Sequence, residues 1–377
     1  MLDSLAIKNF RNLKDLTIPS LGKVNLITGK NNTGKSAILE AIAIYATRGN
    51  IDLIFQLLDD RGENYSATGL KTNPTDANIR SLSSLFTNRL VSYDSKDAIS
   101  IGCIKNTLLG TNSLAQKPVT LQIVRYFEDL HTDKRGNVTS RIQDPIPKKE
   151  IKSIIINSKA GFEIEDEEDS FILPIDKDIT FSSYAAWINE DNLQFVRTGN
   201  LEREINGKLF DKITLTEKEQ YVISALKIIE PSTERIAFVE EVPGKRTAVI
   251  KLSEKQEVLP LRSMGDGINR ILTVILAMVN AEGGYLLIDE FENGLHYTVQ
   301  ERLWSIIFKL AQDLNIQVFV TTHSEDSIAA FSRVLNTPNQ TLAGKLIRLD
   351  NVNGTIKQVE YNAEELKIAN KNNIETR

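Results

Sequence analysis

Residues 29–36 read Gly-Lys-Asn-Asn-Thr-Gly-Lys-Ser, a spacing of glycines, lysine and hydroxyl whose chemistry is phosphate binding. Gly29 and Gly34 let successive backbone N–H groups turn inward around an anion, with Lys30, Asn31, Asn32 and Thr33 forming the loop between them. A helix starting at the end of the run points the positive end of its dipole at the same anion. In that arrangement Lys35 reaches the β- and γ-phosphates of a nucleoside triphosphate and Ser36 ligates Mg²⁺. A chance glycine turn is the competing reading. The apolar run before the loop and the helical pattern after it disfavour that reading.

Other residues fit the same reaction. Magnesium-dependent phosphoryl transfer needs a carboxylate near the metal and a group that orients the attacking water. Tyr285-Leu286-Leu287-Ile288-Asp289-Glu290 is an apolar run closed by two acids. Asp289 is expected to hold Mg²⁺ through its hydration shell, and Glu290 to act as general base or water-orienting group. Acids before a helix are also ordinary N-terminal capping, and only the company of residues 29–36 favours chemistry here. A second apolar run, Gln317-Val318-Phe319-Val320, ends in Thr321-Thr322-His323-Ser324. His323 is a candidate hydrogen-bond partner of the γ-phosphate, against the commoner structural role of a lone histidine. Ser263-Met264-Gly265-Asp266-Gly267 precedes apolar residues at 268, 271, 272, 275, 276 and 279, the spacing of one buried helix face. Glycines and a serine at a helix start make a second anion-binding nest, although ordinary capping would look the same. One chain needs one nest for its own nucleotide. The spare one predicts that Ser263, Gly265 and Gly267 complete the site of a second subunit.

These residues need a scaffold that brings distant segments together. Leu5, Ile7 and Phe10 alternate as in a strand, Val24 and Leu26 as in another, and Ile38, Leu39, Ile42 and Ile44 suit a helix after the glycine loop. From 255 onward the pattern is helix, strand, helix, strand, helix and a terminal pair of strands. The two ends read as halves of one α/β unit, with ligands at the carboxyl ends of its parallel strands. Between them, 51–240 has a polar loop at 72–76, a basic segment at 145–152 and an acidic run at 163–169. Strands are expected at 119–127 and 151–156 and a helix at 217–229. The predicted organisation is 1–50 and 241–377 as one domain, interrupted by a mixed α/β insertion at 51–240 that serves a partner or dimerisation. No seven-residue apolar repeat is sustained there, so a long coiled-coil arm is not expected.

Composition narrows the class. The 377 residues are 41% apolar and 25% charged, as in globular proteins. A net charge of −5 provides no overall basic field for nucleic acid, and Lys148-Lys149-Glu150-Ile151-Lys152 reads more readily as a solvated face than as a DNA contact. With Cys103 alone there is no intrachain disulfide and no cysteine-based zinc cluster, and a cytoplasmic setting is expected. No apolar run reaches the roughly 18 residues of a membrane span, which also argues against a transporter.

In chain order, Ile7-Lys8-Asn9-Phe10-Arg11, the loop 29–36, the turn 263–267, Asp289-Glu290, Glu292-Asn293-Gly294-Leu295-His296 and His323 resemble ABC-type ATPase heads of the RecF, SMC and OLD branch. The resemblance implies an α/β P-loop NTPase, an ABC-type head split by a large α+β insertion. It implies Mg²⁺-dependent hydrolysis of ATP to ADP and phosphate, and a homodimer or higher even-numbered homo-oligomer closed by ATP. Ser263 and its neighbours would touch the γ-phosphate in trans, and Arg11 would join the nucleotide-binding residues. A magnesium-sensing glutamine is expected between loop and signature, with Gln194 the candidate metal-site residue. Met264 and Asp266 depart from the transporter signature LSGGQ. OLD proteins usually continue into a C-terminal Toprim nuclease domain of on the order of 100 residues, for which too little chain follows the strands near Ile347 and Val359. The chain is therefore similar to the stand-alone ATPase subunits of antiphage systems such as PARIS, whose effector is a separate Toprim-like protein. The alternatives are a RecF-like DNA-binding repair ATPase and an ATP-stabilised scaffold with little turnover.

Overall fold

Val24–Gly29 is buried at every position, which alternating polar and apolar residues could not sustain in a sheet with one wet face. The reason is visible in the computed structural model, which describes residues 1–64, 73–104, 117–132, 138–142, 158–176, 193–197, 202–242, 245–253, 257–338, 343–372 and 374–377. In chain order the elements are β1 (Leu5–Phe10), β2 (Leu13–Ile18), β3 (Val24–Gly29), α1 (Lys35–Ala46), α2 (Ile51–Asp60), α3 (Pro74–Ser83), β4 (Ile99–Gly102) and β5 (Val119–Tyr126). There follow β6 (Glu128–Thr132), β7 (Val138–Ile142), β8 (Lys159–Glu165), β9 (Ser170–Pro174), β10 (Leu193–Val196), α4 (Glu202–Ile213) and α5 (Lys218–Ile229). Next come β11 (Thr233–Val242), β12 (Lys245–Leu252), β13 (Val258–Pro260), α6 (Asp266–Asn280), β14 (Tyr285–Ile288), α7 (Tyr297–Asp313) and β15 (Gln317–Thr321). The chain closes with α8 (Glu325–Leu335), β16 (Gly344–Val352), β17 (Thr355–Tyr361) and α9 (Ala363–Lys371).

The central sheet has the order β10-β14-β15-β3-β16-β17, parallel through β16, with β17 antiparallel at its edge. Alternate side chains feed two cores. Leu286, Ile288, Val318 and Val320 pack with residues of α4 to α8. Leu287, Phe319 and Ile347 pack with α1 and the second sheet. That second sheet is antiparallel, in the order β2-β1-β4-β5-β8-β9.

The segment expected as an insertion, 51–240, pairs with both ends of the chain. β4, β5, β8 and β9 continue the sheet begun by β1, and β10 lies against β14 in the central sheet. The middle of the chain is therefore knitted into both halves, which periodicity could not reveal because pairing such as Ile7 with Ile101 is long-range. Of the polar segment at 72–76, the described residues 73–76 open α3: Asn73 caps its first turn by accepting from the Thr75 N–H, and Pro74 stands where a helix tolerates proline. Strand β2 and helix α9 were not anticipated. The strands at 119–127 and the helix at 217–229 match β5 and α5, while 151–156 and the basic segment at 148–152 lie outside the described residues. Among the described residues the longest helix, α7, has 17 residues, and no helix is long and apolar enough to cross a membrane.

One packing unit fixes the loop after β14. Trp304 of α7 is fully buried, stacked on Phe291 at 4.3 Å and edge-on to Phe331 of α8 at 4.9 Å. Trp304→Ala is expected to cost about 3–5 kcal/mol of stability. Denaturant unfolding checks this, the midpoint falling while the slope holds.

Candidate functional site

The glycine loop leaves β3 at Gly29 and enters α1 at Lys35. Gly29 has φ +141°, and a Cβ there would lie 2.6 Å from the Leu349 carbonyl oxygen. Gly34 has φ +90°, and its Cβ would lie 2.7 Å from Leu13 Cδ2. Both glycines are thus required on conformational and steric grounds. Between them Thr33 donates its hydroxyl to the Lys30 carbonyl at 2.8 Å, and the Asn12 amide braces the Asn32 carbonyl at 3.0 Å. Lys35 donates to the carbonyls of Gly29 at 2.8 Å and Lys30 at 2.9 Å, so its ammonium stands inside the loop. Burial pulls the Lys35 pKa below its ordinary value, while the charges of Asp289, Glu290 and Glu292 act in the opposite sense.

Parallel register brings the acids to this loop. Thr321 of β15 sits between the ends of β3 and β14, and its hydroxyl donates to Asp289 Oδ1 at 2.5 Å while accepting from the Glu290 N–H at 2.9 Å. Ser36 donates to the same Asp289 oxygen at 3.1 Å, joining the start of α1 to the end of β14. Glu290 takes a left-handed backbone, φ +51°, a strained state for a non-glycine that persists only where surroundings over-determine it. Here the restraints are Thr321, the Phe291 N–H on the Thr321 carbonyl at 2.9 Å, and the Asn293 amide on Glu290 Oε2 at 2.8 Å.

Asn31, Asn32, Gly34, Lys35, Ser36, Asp289, Glu290 and His323 line one cleft of about 760 Å³, within the roughly 300–1,000 Å³ of small-molecule sites. The Ser36 hydroxyl and Asp289 carboxylate are hard oxygen donors and suit Mg²⁺, which is commonly held by few protein oxygens and otherwise by waters and phosphates. Among the described residues there is no group of three or more His, Cys, Asp and Glu able to hold a metal by themselves.

Arg11 also lines the cleft, with φ +51° and its guanidinium held 2.5 Å from Glu40 and 2.7 Å from Glu63. Those acids further pair with Arg61 and Arg89, at 2.7 and 2.9 Å. This network escaped the sequence reading because its members have no motif spacing. Arg270 escaped too, although an arginine between Ile268 and Ile271 on an apolar helix is a readable signal. It is 3% exposed and donates to the carbonyls of Arg197 at 2.9 Å and Asp289 at 3.1 Å.

Gln194 is not brought to the cleft. It is buried within β10 opposite Leu286, below the strand end where Val196 accepts from the Asp289 N–H. Ser263 and Gly265 are exposed, in a short helical turn and its end, and do not line the cleft of their own chain. A Cβ on Gly265 would meet nothing within 4 Å, whereas one on Gly267 would lie 3.1 Å from the Gly294 carbonyl oxygen. The turn 263–267 and the turn after Glu290 therefore share one edge of the molecule.

A phosphate loop after a parallel strand, an acidic strand end beside it and a third strand bridging the two define the class: a P-loop nucleoside triphosphatase with an α/β core. More narrowly, residues 24–329 match the family described as "AAA domain, putative AbiEii toxin, Type IV TA system", and the chain belongs to that family. It is 25% identical over 370 residues to an "ATP/GTP phosphatase" of Helicobacter pylori, covering 89% of this chain and 88% of that protein. A stretch of 45 residues, 12% of this chain and 20% of the relative, is 49% identical to an uncharacterized protein of Methanocaldococcus jannaschii. Among solved structures, an SMC head bound to the C-winged helix domain of ScpA aligns over 98% of this chain and 99% of that chain, with a TM-score of 0.48 and 14% identity.

Lys35→Ala removes the ammonium held by the loop carbonyls. Loss of a charge-assisted contact of about 1.5–3 kcal/mol is expected to weaken Mg-ATP binding by about 10–100-fold, measured by titration with a fluorescent ATP analogue.

Proposed function

We propose that this chain hydrolyses ATP in a site completed by a second copy of itself, and that the nucleotide-closed dimer is a switch controlling a separately encoded effector. The observation that carries the reading is the separation of two anion nests: the cleft holds Lys35, Ser36, Asp289 and Glu290, while Ser263 and Gly265 stand exposed elsewhere. An exposed serine and glycine turn opening a helix of 15 residues is well suited to a phosphate presented by another subunit.

Within the cleft, Lys35 exchanges its loop carbonyls for β- and γ-phosphate oxygens, while the loop N–H groups hold the same anion. Ser36 and Asp289 hold Mg²⁺, which supplies neutralisation of charge on the phosphates when bound. Glu290, turned into the cleft by its left-handed backbone, orients the attacking water or accepts its proton, and His323 meets the γ-phosphate. The resemblance to antiphage ATPase subunits supports a separately encoded effector, with a Toprim-like nuclease the favoured chemistry. A net charge of −5 counts against the RecF-like reading, and salt-dependent DNA binding would restore it.

The mass of Glu290→Gln protein in solution is expected to double on adding Mg-ATP, while its steady phosphate release disappears. Unchanged turnover in that variant would remove Glu290 from its role, and a mass indifferent to ATP would remove the switch. Ser263→Arg is expected to bind Mg-ATP as the unmodified chain does and to remain monomeric in the same measurement.

A further inference from the structure

Glu292 is an acid that the reaction as described does not use. It follows Phe291, whose ring is anchored on Trp304, and its half-buried carboxylate reaches across to the end of β15. There Oε1 accepts from the His323 backbone N–H at 2.7 Å and Oε2 accepts from the Thr322 hydroxyl at 2.7 Å. Both oxygens are thus engaged on two consecutive residues, one of them the histidine that lines the cleft.

The choice of a carboxylate here carries information. It stands close enough to Lys35 for its charge to be felt there, so it also repels a triphosphate. A neutral side chain would avoid that penalty. A carboxylate, however, presents two acceptor oxygens and no donor, and so can hold a backbone N–H and a hydroxyl at once. Its charge also strengthens both bonds. Residues 293–296 continue from Glu292 as a turn with Asn293, Gly294 and His296 exposed, its Gly294 carbonyl facing Gly267 at the edge carrying Ser263 and Gly265.

We infer that Glu292 is a positioning residue for His323, fixing the histidine's backbone to the turn at the subunit-facing edge so that docking at that edge and presentation of His323 to the γ-phosphate are one event. This rests on the proposed ATPase reading and deepens it. Nothing in it requires Glu292 to touch nucleotide.

The test compares Glu292→Ala and Glu292→Gln with the unmodified chain, alone and combined with His323→Ala. In Glu292→Ala, kcat for ATP is expected to fall about 10–100-fold, the scale of losing an outer hydrogen-bond partner, while KM stays level or falls because a repelling charge is gone. Glu292→Gln keeps one acceptor and should lie between. On the His323→Ala background, Glu292→Ala should add little, because both changes remove the same function. Amide exchange over residues 320–324, which needs no turnover, should quicken in the alanine variant and less in the glutamine one. Additive losses, a rise in KM matching the loss in kcat, or unaltered exchange overturns the coupling while leaving the ATPase reading intact. An unmodified chain that releases no phosphate overturns the ATPase reading itself, and the positioning role with it; unaltered exchange then shows that the geometric link was absent as well.

Discussion

Ser36 and Asp289 share a hydrogen bond of 3.1 Å although 253 positions separate them, and the site exists because β15 holds β3 and β14 in parallel register. Thr321, the last residue of β15, is the contact through which that register becomes chemistry. It takes one hydrogen from the Glu290 backbone and gives one to Asp289, which also accepts from Ser36. Sheet pairing alone would align the strand ends. The hydroxyl fixes how the two acids leave them, with Asp289 aimed at the start of α1 and Glu290 turned through a left-handed residue into the cleft.

The cleft so formed carries both signs of charge. Asp289 and Glu290 line it together with the buried ammonium of Lys35 and the guanidinium of Arg11, and Glu292 lies near enough for its charge to be felt at Lys35. Arg11 is held by Glu40 and Glu63, which in turn hold Arg61 and Arg89, so its position is shared among five charged side chains. Arg11 and both acids each have two partners, so every buried charge in the network stays paired when any one contact is lost. The desolvation that lowers the Lys35 pKa has the same origin: an ammonium kept out of water is poised for an anion.

The mechanical links run outward from the site. Arg270 ties the helix that follows Ser263–Gly267 to the backbone of Asp289 and to the end of β10. Phe291 and Trp304 tie the same loop to α7 and α8. The turns at 263–267 and 293–296 are therefore attached to the acids by short paths of buried hydrogen bonds and ring packing. Movement at that edge has few ways to be absorbed before it reaches the cleft.

From sequence alone came the phosphate loop with its strand and helix, the acidic end of β14, the histidine after β15 and the apolar runs that became the buried parallel strands. Each is local: a motif or a periodicity within some ten to twenty residues reports on its own backbone and burial. What the sequence left undetermined depends on partners far along the chain. The continuation of β1 by β4, which merged the middle segment into the fold, is such a case, as are the burial of Gln194 within β10 and the attachment of Arg270, Glu63 and Glu292 to the site. Strand pairing and salt bridges are fixed by which surfaces meet once the chain has collapsed. A residue's spacing from its neighbours carries no record of a contact made tens of positions away along the chain, so only the tertiary structure could decide it.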